Sequence, residues 1–179
     1  MKYETIINQP LIAAERFDLR PLRLSDSGLI ALNAGDARVA RSSSNIPHPL
    51  PPGTAEALIA RAQADDRSED IWAIDGTKSG GSEVMGLVSL MRVDDGQSEI
   101  SYWVAPAYWN TGVASAAVET LLAANPHGAS TIFASVFQDN AASARVLTNC
   151  GFRYLGDAEA FCVARGATVP TWTYSRKAK

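Results

Sequence analysis

The chain is poor in what several large functional classes require. It has two cysteines, Cys150 and Cys162, and two histidines, His48 and His127, in 179 residues. Their spacing makes neither a disulfide framework nor a paired metal-ligand motif, so buried reduced thiols and no metal site are expected. No run of about 20 apolar residues occurs, which argues against a helical membrane span. Met1 to Leu11 lacks an apolar core and a cleavage site, so no signal peptide is expected and a cytoplasmic location follows. Sixteen Lys and Arg against nineteen Asp and Glu give a net charge of −3 with no basic run. A phosphate-neutralising nucleic-acid surface is therefore not expected. There is no Walker lysine after a glycine-rich turn and no G-x-G-x-x-G, so neither a nucleoside triphosphate site nor a dinucleotide site is indicated.

What is present suits one globular domain spanning residues 1–179, with 46% hydrophobic residues to build its core. Residues 16–22 alternate around Phe17 and Leu19 as a strand. Ser25 is placed to cap a helix over 26–35, and a shorter helix follows over 36–42. Four prolines in 45–52 exclude regular structure. Thr54 is placed to cap a helix with Leu58, Ile59 and Ala62 on one face. Strands are expected over 70–75, 84–93 and 99–105, joined through Gly80-Gly81 and Asp94-Asp95-Gly96. A helix follows Gly112 and stops at Asn125-Pro126, because Pro126 disfavours a helical Asn125. Residues 130–136 read as a buried strand. Asn140 caps a last helix, and Gly151 supplies its left-handed end. Residues 152–155 and 170–176 close the chain as strands, and 156–169 carry no clear pattern. The unit 99–136 has the length of a right-handed parallel crossover, while the flanking hairpins make the sheet mixed.

The most informative segment joins that strand to that helix. Trp109-Asn110-Thr111-Gly112-Val113-Ala114 is a short loop running into a helix, followed by Ser115. Unpaired backbone N–H groups and the positive end of the helix dipole converge there, and Gly112 permits close approach of a ligand. A pyrophosphate held by backbone alone fits such a place.

This loop resembles the cofactor loop of the GNAT superfamily of acyl-CoA-dependent N-acyltransferases, with Trp109 replacing the Arg or Gln that usually opens it. Trp109 after Pro106-Ala107-Tyr108 resembles the RimJ/RimL-like branch, whose members acetylate ribosomal-protein N-termini. Asn140, Ser143, Gly151 and Phe152 match that branch's second element, Asn-x-x-Ser-x-x-x-x-x-x-x-Gly-Phe, in type and spacing. Arg16-Phe17-Asp18-Leu19-Arg20-Pro21-Leu22, Ser25-Asp26 and Ile46-Pro47-His48-Pro49 extend the likeness over nearly the whole chain.

The resemblance implies an α/β (α+β) fold. Its sheet is mixed, mostly antiparallel and twisted, of about seven strands flanked by helices, with a central parallel pair that splays apart. It implies acetyl-CoA as co-substrate, its pantetheine arm bonded to the backbone of Trp103, Val104 and Ala105. The pyrophosphate would then lie on Asn110, Thr111, Gly112, Val113, Ala114 and Ser115, with Asn140 also touching the cofactor. It further implies an amine acceptor, while charge and hydropathy give no expectation of a nucleic-acid or membrane partner, and a monomer or homodimer is expected.

Acyl transfer to an amine needs a sink for the amine proton and a partner for the departing thiolate. Glu99 is the candidate base. It is an acidic residue in an otherwise apolar strand, near where other branches carry a catalytic glutamate. Alternation puts Glu99, Ser101 and Trp103 on one face and Ile100, Tyr102 and Val104 on the other. The plain alternative is a solvated Glu99 at the strand's start. The family's usual acid, a Tyr in the second element, is replaced by Leu147, and Ser143 is assigned a place near the CoA sulfur. As alternatives, Ser143 is a helix-start residue bonded to backbone, and Asn140 serves both as cap and as cofactor contact. Asn149 and Cys150 read as helix-end packing. His48 is either a substrate contact or a surface residue, and His127 has no role.

The acceptor is constrained by energetics. At pH 7 an α-amine is about 10–20% neutral and a lysine about 0.04%. A site with one base and no Tyr acid matches a protein N-terminal α-amine. A small-molecule amine such as a polyamine or antibiotic is the alternative, and a non-catalytic acyl-CoA-binding module is the competitor from another class.

Overall fold

The computed structural model describes residues 9–178. The N-terminal residues read above for a leader lie almost wholly outside that range. Among the described residues, one eight-stranded sheet organises the fold, one strand more than expected, in the order β1-β2-β3-β4-β5-β6-β8-β7. The strands are β1 (Ile12–Ala13), β2 (Asp18–Pro21), β3 (Glu69–Asp75), β4 (Gly86–Asp94), β5 (Gln97–Val104), β6 (Thr131–Phe137), β7 (Arg153–Cys162) and β8 (Ala167–Lys177). All neighbours pair antiparallel except β5 and β6. The crossover from β5 to β6 runs through helix α4 (Val113–Ala124).

Helices cover both faces. On one, Val113, Ala117, Val118 and Leu121 of α4 and Ala144 and Leu147 of α5 (Ala141–Asn149) pack on Trp72, Val88, Ile100 and Ile132. On the other, Ile30 of α1 (Ser27–Ala34) and Ala55 and Ile59 of α3 (Thr54–Ala62) meet Ile71, Ala73 and Leu87. A short helix, α2 (Ala37–Ala40), starts at Asp36, whose carboxylate accepts from the Arg38 N–H.

Local expectations hold at α4 and α5 and fail at two helix starts. Ser25 lies inside a 3-10 turn, Leu24–Asp26, and the Asp26 carboxylate accepts the Arg23 N–H at 2.9 Å in its place. Asp26 is recruited because Arg20 grips it bidentately, at 2.8 and 2.9 Å, while the Arg20 Nε holds Asp75 at 2.7 Å. Such a fork-to-carboxylate pair is the strong form of the interaction. Gly53, not Thr54, is the cap of α3, because its left-handed φ of 83° turns the chain out of the prolines. The Thr54 hydroxyl donates back to the Pro51 carbonyl at 2.6 Å. Residues 156–169 are the distal part of the β7–β8 hairpin.

Candidate active site

β5 and β6 are paired only at their beginnings, through Gln97 with Thr131, Ser98 with Ile132 and Glu99 with Phe133. Beyond Glu99, β5 follows β4 on its outer side, and β6 stays with β8 along its whole length. Each strand is held by its own antiparallel partner, so sheet twist carries the two apart. A slot opens between them, and Glu99 stands at its vertex.

The slot has polar edges. The Ala105 N–H is spent on the Met85 carbonyl at 2.8 Å. By the alternation of an antiparallel ladder, the N–H and C=O groups of Tyr102 and Val104 face the slot instead. The Val104 carbonyl accepts the Trp109 indole N–H at 2.7 Å. Of the three residues assigned to the cofactor arm, Val104 thus presents its backbone to the slot. Trp103 turns its side chain to the opposite face, against the α1–α3 core.

At the mouth lies the loop before α4. Asn110 and Gly112 are both left-handed, with φ of 59° and 80°, and the Thr111 hydroxyl donates to the Tyr108 carbonyl. No side chain caps α4. Helix α5 differs, because Asn140 Oδ1 accepts the Ser143 N–H at 3.2 Å. The first-turn N–H groups of Val113, Ala114 and Ser115 therefore remain open to a ligand. Two cations flank this loop. Arg38 lies over the Trp109 ring at 5.2 Å, and a Cβ placed on Gly112 would meet Arg16 Nη2 at 3.7 Å. Arg16 also lines a cleft of about 260 Å³ with Tyr108, Thr111 and Val113. Its place here could not be read from its position at the head of the first strand.

Across the slot, Ser143 sits in the first turn of α5. Its hydroxyl is 2.8 Å from Tyr102 Oη, which also lies 3.2 Å from the Ser143 carbonyl oxygen. Burial pushes the Tyr102 phenol well above its ordinary range, outweighing the contact with Ser143. Leu147, one turn on, is fully buried in the core. Asn140 has committed its side-chain oxygen to the helix cap, which leaves its amide nitrogen for another partner. Cys150 Sγ, pushed up to about 11 by burial, donates to the Ser115 carbonyl and ties the end of α5 to the start of α4.

Glu99 is half-buried. Burial raises its pKa above the usual 4.5, and the negative charge of Glu69 raises it further. Met91 of β4 pairs with both Glu69 and Glu99, so the two carboxylates share one sheet face on either side of it. Ser101, next along that face, bonds the Ser89 hydroxyl at 2.8 Å. His48 is exposed in the proline-rich loop.

The arrangement is a slot with backbone groups on its edge, a loop leading into an uncapped helix at its mouth, a carboxylate of raised pKa at its vertex and a hydroxyl pair on one wall. It fits a long ligand with an anionic end. Among the described residues, no group of three or more His, Cys, Asp and Glu is placed to hold a metal ion, and no helix is long and apolar enough to cross a membrane.

Residues 16–153 match the model of an acetyltransferase (GNAT) domain. Among solved structures, the chain is similar to the Microcin C7 self immunity acetyltransferase MccE in complex with acetyl-CoA and AMP. That likeness has 16% identity and a TM-score of 0.79, over 92% of this chain and 93% of that one. It is similar to RimL, a ribosomal L7/L12 alpha-N-protein acetyltransferase in complex with coenzyme A, at 16% identity and a TM-score of 0.78, over 94% and 98%. It is also similar to the spermidine N-acetyltransferase of Vibrio cholerae in complex with CoA and spermine, at 16% identity and a TM-score of 0.76, over 91% and 96%. Among curated proteins it matches a probable 3-hydroxyisobutyrate dehydrogenase-like 2, mitochondrial, of Arabidopsis thaliana, at 34% identity over 97 residues. That match takes in 54% of this chain and 29% of the length of that protein.

Proposed function

The chain belongs to the acetyltransferase (GNAT) family, and on that premise we propose that it transfers the acetyl group of acetyl-CoA to a primary amine, with a protein N-terminal α-amine as favoured acceptor. The observation that carries this reading is the parting of β5 and β6 beside the uncapped start of α4. The slot accepts the pantetheine arm along Tyr102 and Val104, and the N–H groups from Gly112 to Ser115 take the pyrophosphate, with Arg16 adding charge. Glu99, at the vertex, receives the amine proton directly or through one water. Its raised pKa brings it closer to a working base at neutral pH. The C–N bond forms, the C–S bond breaks, and the electron pair stays on sulfur, where the Ser143 hydroxyl stabilises it. The second element and the likeness to RimL support a place in the RimJ/RimL-like branch.

The test is thiol release from acetyl-CoA with peptides beginning in Ala or Ser and with a panel of small amines. Turnover on the peptides alone is expected. Binding of acetyl-CoA with no turnover on any amine would reduce the protein to an acyl-CoA-binding module.

One observation favours a second acceptor. Glu69 and Glu99 on one face suit a polycationic amine, and the likeness to the Vibrio cholerae enzyme points the same way. Turnover on spermine or spermidine without turnover on peptides would establish it.

A further inference from the structure

Tyr102 lies on β5, and the hydroxyl it meets lies on α5, across the slot. The family's usual tyrosine position is filled by Leu147, buried in the core and without a polar group to offer. A tyrosine hydroxyl nonetheless reaches this wall from a different element. We infer that Tyr102 is a positioning residue for the acyl-transfer step, donating its proton to Ser143 Oγ so that the Ser143 proton points into the slot at the departing sulfur.

The argument is one of hydrogen-bond geometry. Each hydroxyl has one proton to give. At 2.8 Å the two share a single proton, and only one of them keeps its own for a third partner. Tyr102 Oη has two acceptors on the same residue, Oγ at 2.8 Å and the carbonyl at 3.2 Å, so its proton is directed to Ser143 either way. The carbonyl already serves the helix, and the shorter contact is the hydroxyl. With Tyr102 as donor, Ser143 is left with a free proton and a fixed oxygen. The phenol, packed against the core, stays protonated and so keeps a proton to give. No proton crosses the pair. The C–S electron pair remains on sulfur, stabilised by the Ser143 O–H, and the thiolate takes its proton from solvent on leaving.

This rests on the acetyl-CoA reading above, and a measurement without acceptor separates the two. The probe is coenzyme A, and the readout is the pKa of its enzyme-bound thiol, followed by thiolate absorbance against pH. In the wild type that pKa is expected below the free value by about one unit, the worth of a hydrogen bond to a charged atom. Ser143→Ala and Tyr102→Phe should both restore the free value, and the double variant should add nothing further. Tyr102→Phe keeps the packed ring, and coenzyme A affinity should hold, so a purely structural tyrosine would leave the thiol unmoved. With an accepted amine, Tyr102→Phe should lower kcat by roughly tenfold, less than loss of a whole donor, at unchanged KM for acetyl-CoA. If the wild type does not bind coenzyme A, the cofactor reading and this inference fall together. If Ser143→Ala leaves the thiol unmoved, the Ser143 assignment fails and takes this inference with it. If Ser143→Ala shifts the thiol and Tyr102→Phe does not, or Tyr102→Phe raises kcat by freeing a Ser143 proton, this inference alone is overturned.

Discussion

His127 Nε2 lies 2.6 Å from Asp70 Oδ2, with both side chains almost wholly buried. His127 Nδ1 meets the Ser98 hydroxyl at 2.8 Å, and Arg67 Nε holds the other Asp70 oxygen at 2.7 Å. A serine, a histidine and an aspartate thus stand in a hydrogen-bonded row, yet Ser98 is 1% exposed and no substrate can reach it. The row fastens β3, the start of β5 and the loop after α4 at the closed end of the slot.

Breaking it should be costly. His127→Ala is expected to lower stability by about 3 kcal/mol, because Asp70 is left buried with part of its compensation gone. Urea denaturation at neutral pH measures this, and acetyl-CoA binding should persist in the folded fraction.

The same carboxylate sets an acid limit. Burial works to raise the Asp70 pKa, but the hydrogen bonds from His127 and Arg67 outweigh it and hold the group below the usual 3.8. A depressed carboxylate contributes stability that is full above its unfolded-state pKa and is lost as pH falls through its folded value. Asp70→Asn should therefore be less stable than wild type at neutral pH, and the difference should shrink below about pH 4. Equal loss at all pH values would contradict the assignment.

Gly112→Glu should abolish acetyl-CoA binding, since it adds bulk and negative charge at the open N–H groups. The left-handed φ of 80° strains any L-residue there, so Gly112→Ala is the control. It should cost about 1 kcal/mol of stability and keep measurable affinity by calorimetry.

Asn140→Ala removes the Oδ1 that caps α5 and should cost about 1 kcal/mol. It should also weaken acetyl-CoA binding through loss of the amide nitrogen. Thermal melting and calorimetry separate the two effects, and a lower melting point with unchanged affinity would make Asn140 structural only.

Glu99→Gln should slow turnover by roughly 10²–10⁴-fold at unchanged acetyl-CoA affinity. Its stability should move the other way. An acid whose folded pKa is raised gives stability below its unfolded pKa and loses it as pH rises through the folded value. The neutral glutamine should therefore make the protein more stable at pH 7, with no gain in acid. Glu69→Gln removes the second cause of the shift, so the acid limb of kcat/KM should move to lower pH. A folded Glu99→Gln enzyme with near wild-type rate would refute the base.

How much of this was legible follows from where the signals are local. Gly112, Asn125-Pro126, Asn140 and Gly151 bracket α4 and α5 because caps and left-handed ends act within one turn. The distal half of the β7–β8 hairpin gives no pattern, since β7 is largely exposed on both faces and buries only its last residue, Cys162, while alternation needs one buried side. β1 is two residues long, too short for any period. In the proposed site, Gly112 marks the loop and Glu99 stands out as an acid in an apolar strand. Tyr102 reads only as one of three residues on the face of β5 opposite Glu99, because its partner Ser143 lies 41 residues away. His127 carries no role in the sequence for the same reason, with Asp70 at a separation of 57.

The loop before α4 is already closed by bonds within the chain, from the Trp109 indole to Val104 and from Thr111 to Tyr108. A ligand arriving there does not have to organise it. Association should then resemble docking onto a rigid surface, with little ordering entropy to lose and a heat-capacity change set by the area covered alone. Trp109→Phe, which keeps an aromatic ring but loses the pyrrole part of the indole and its N–H, should transfer that ordering to the binding step. The association rate should drop more than the dissociation rate rises.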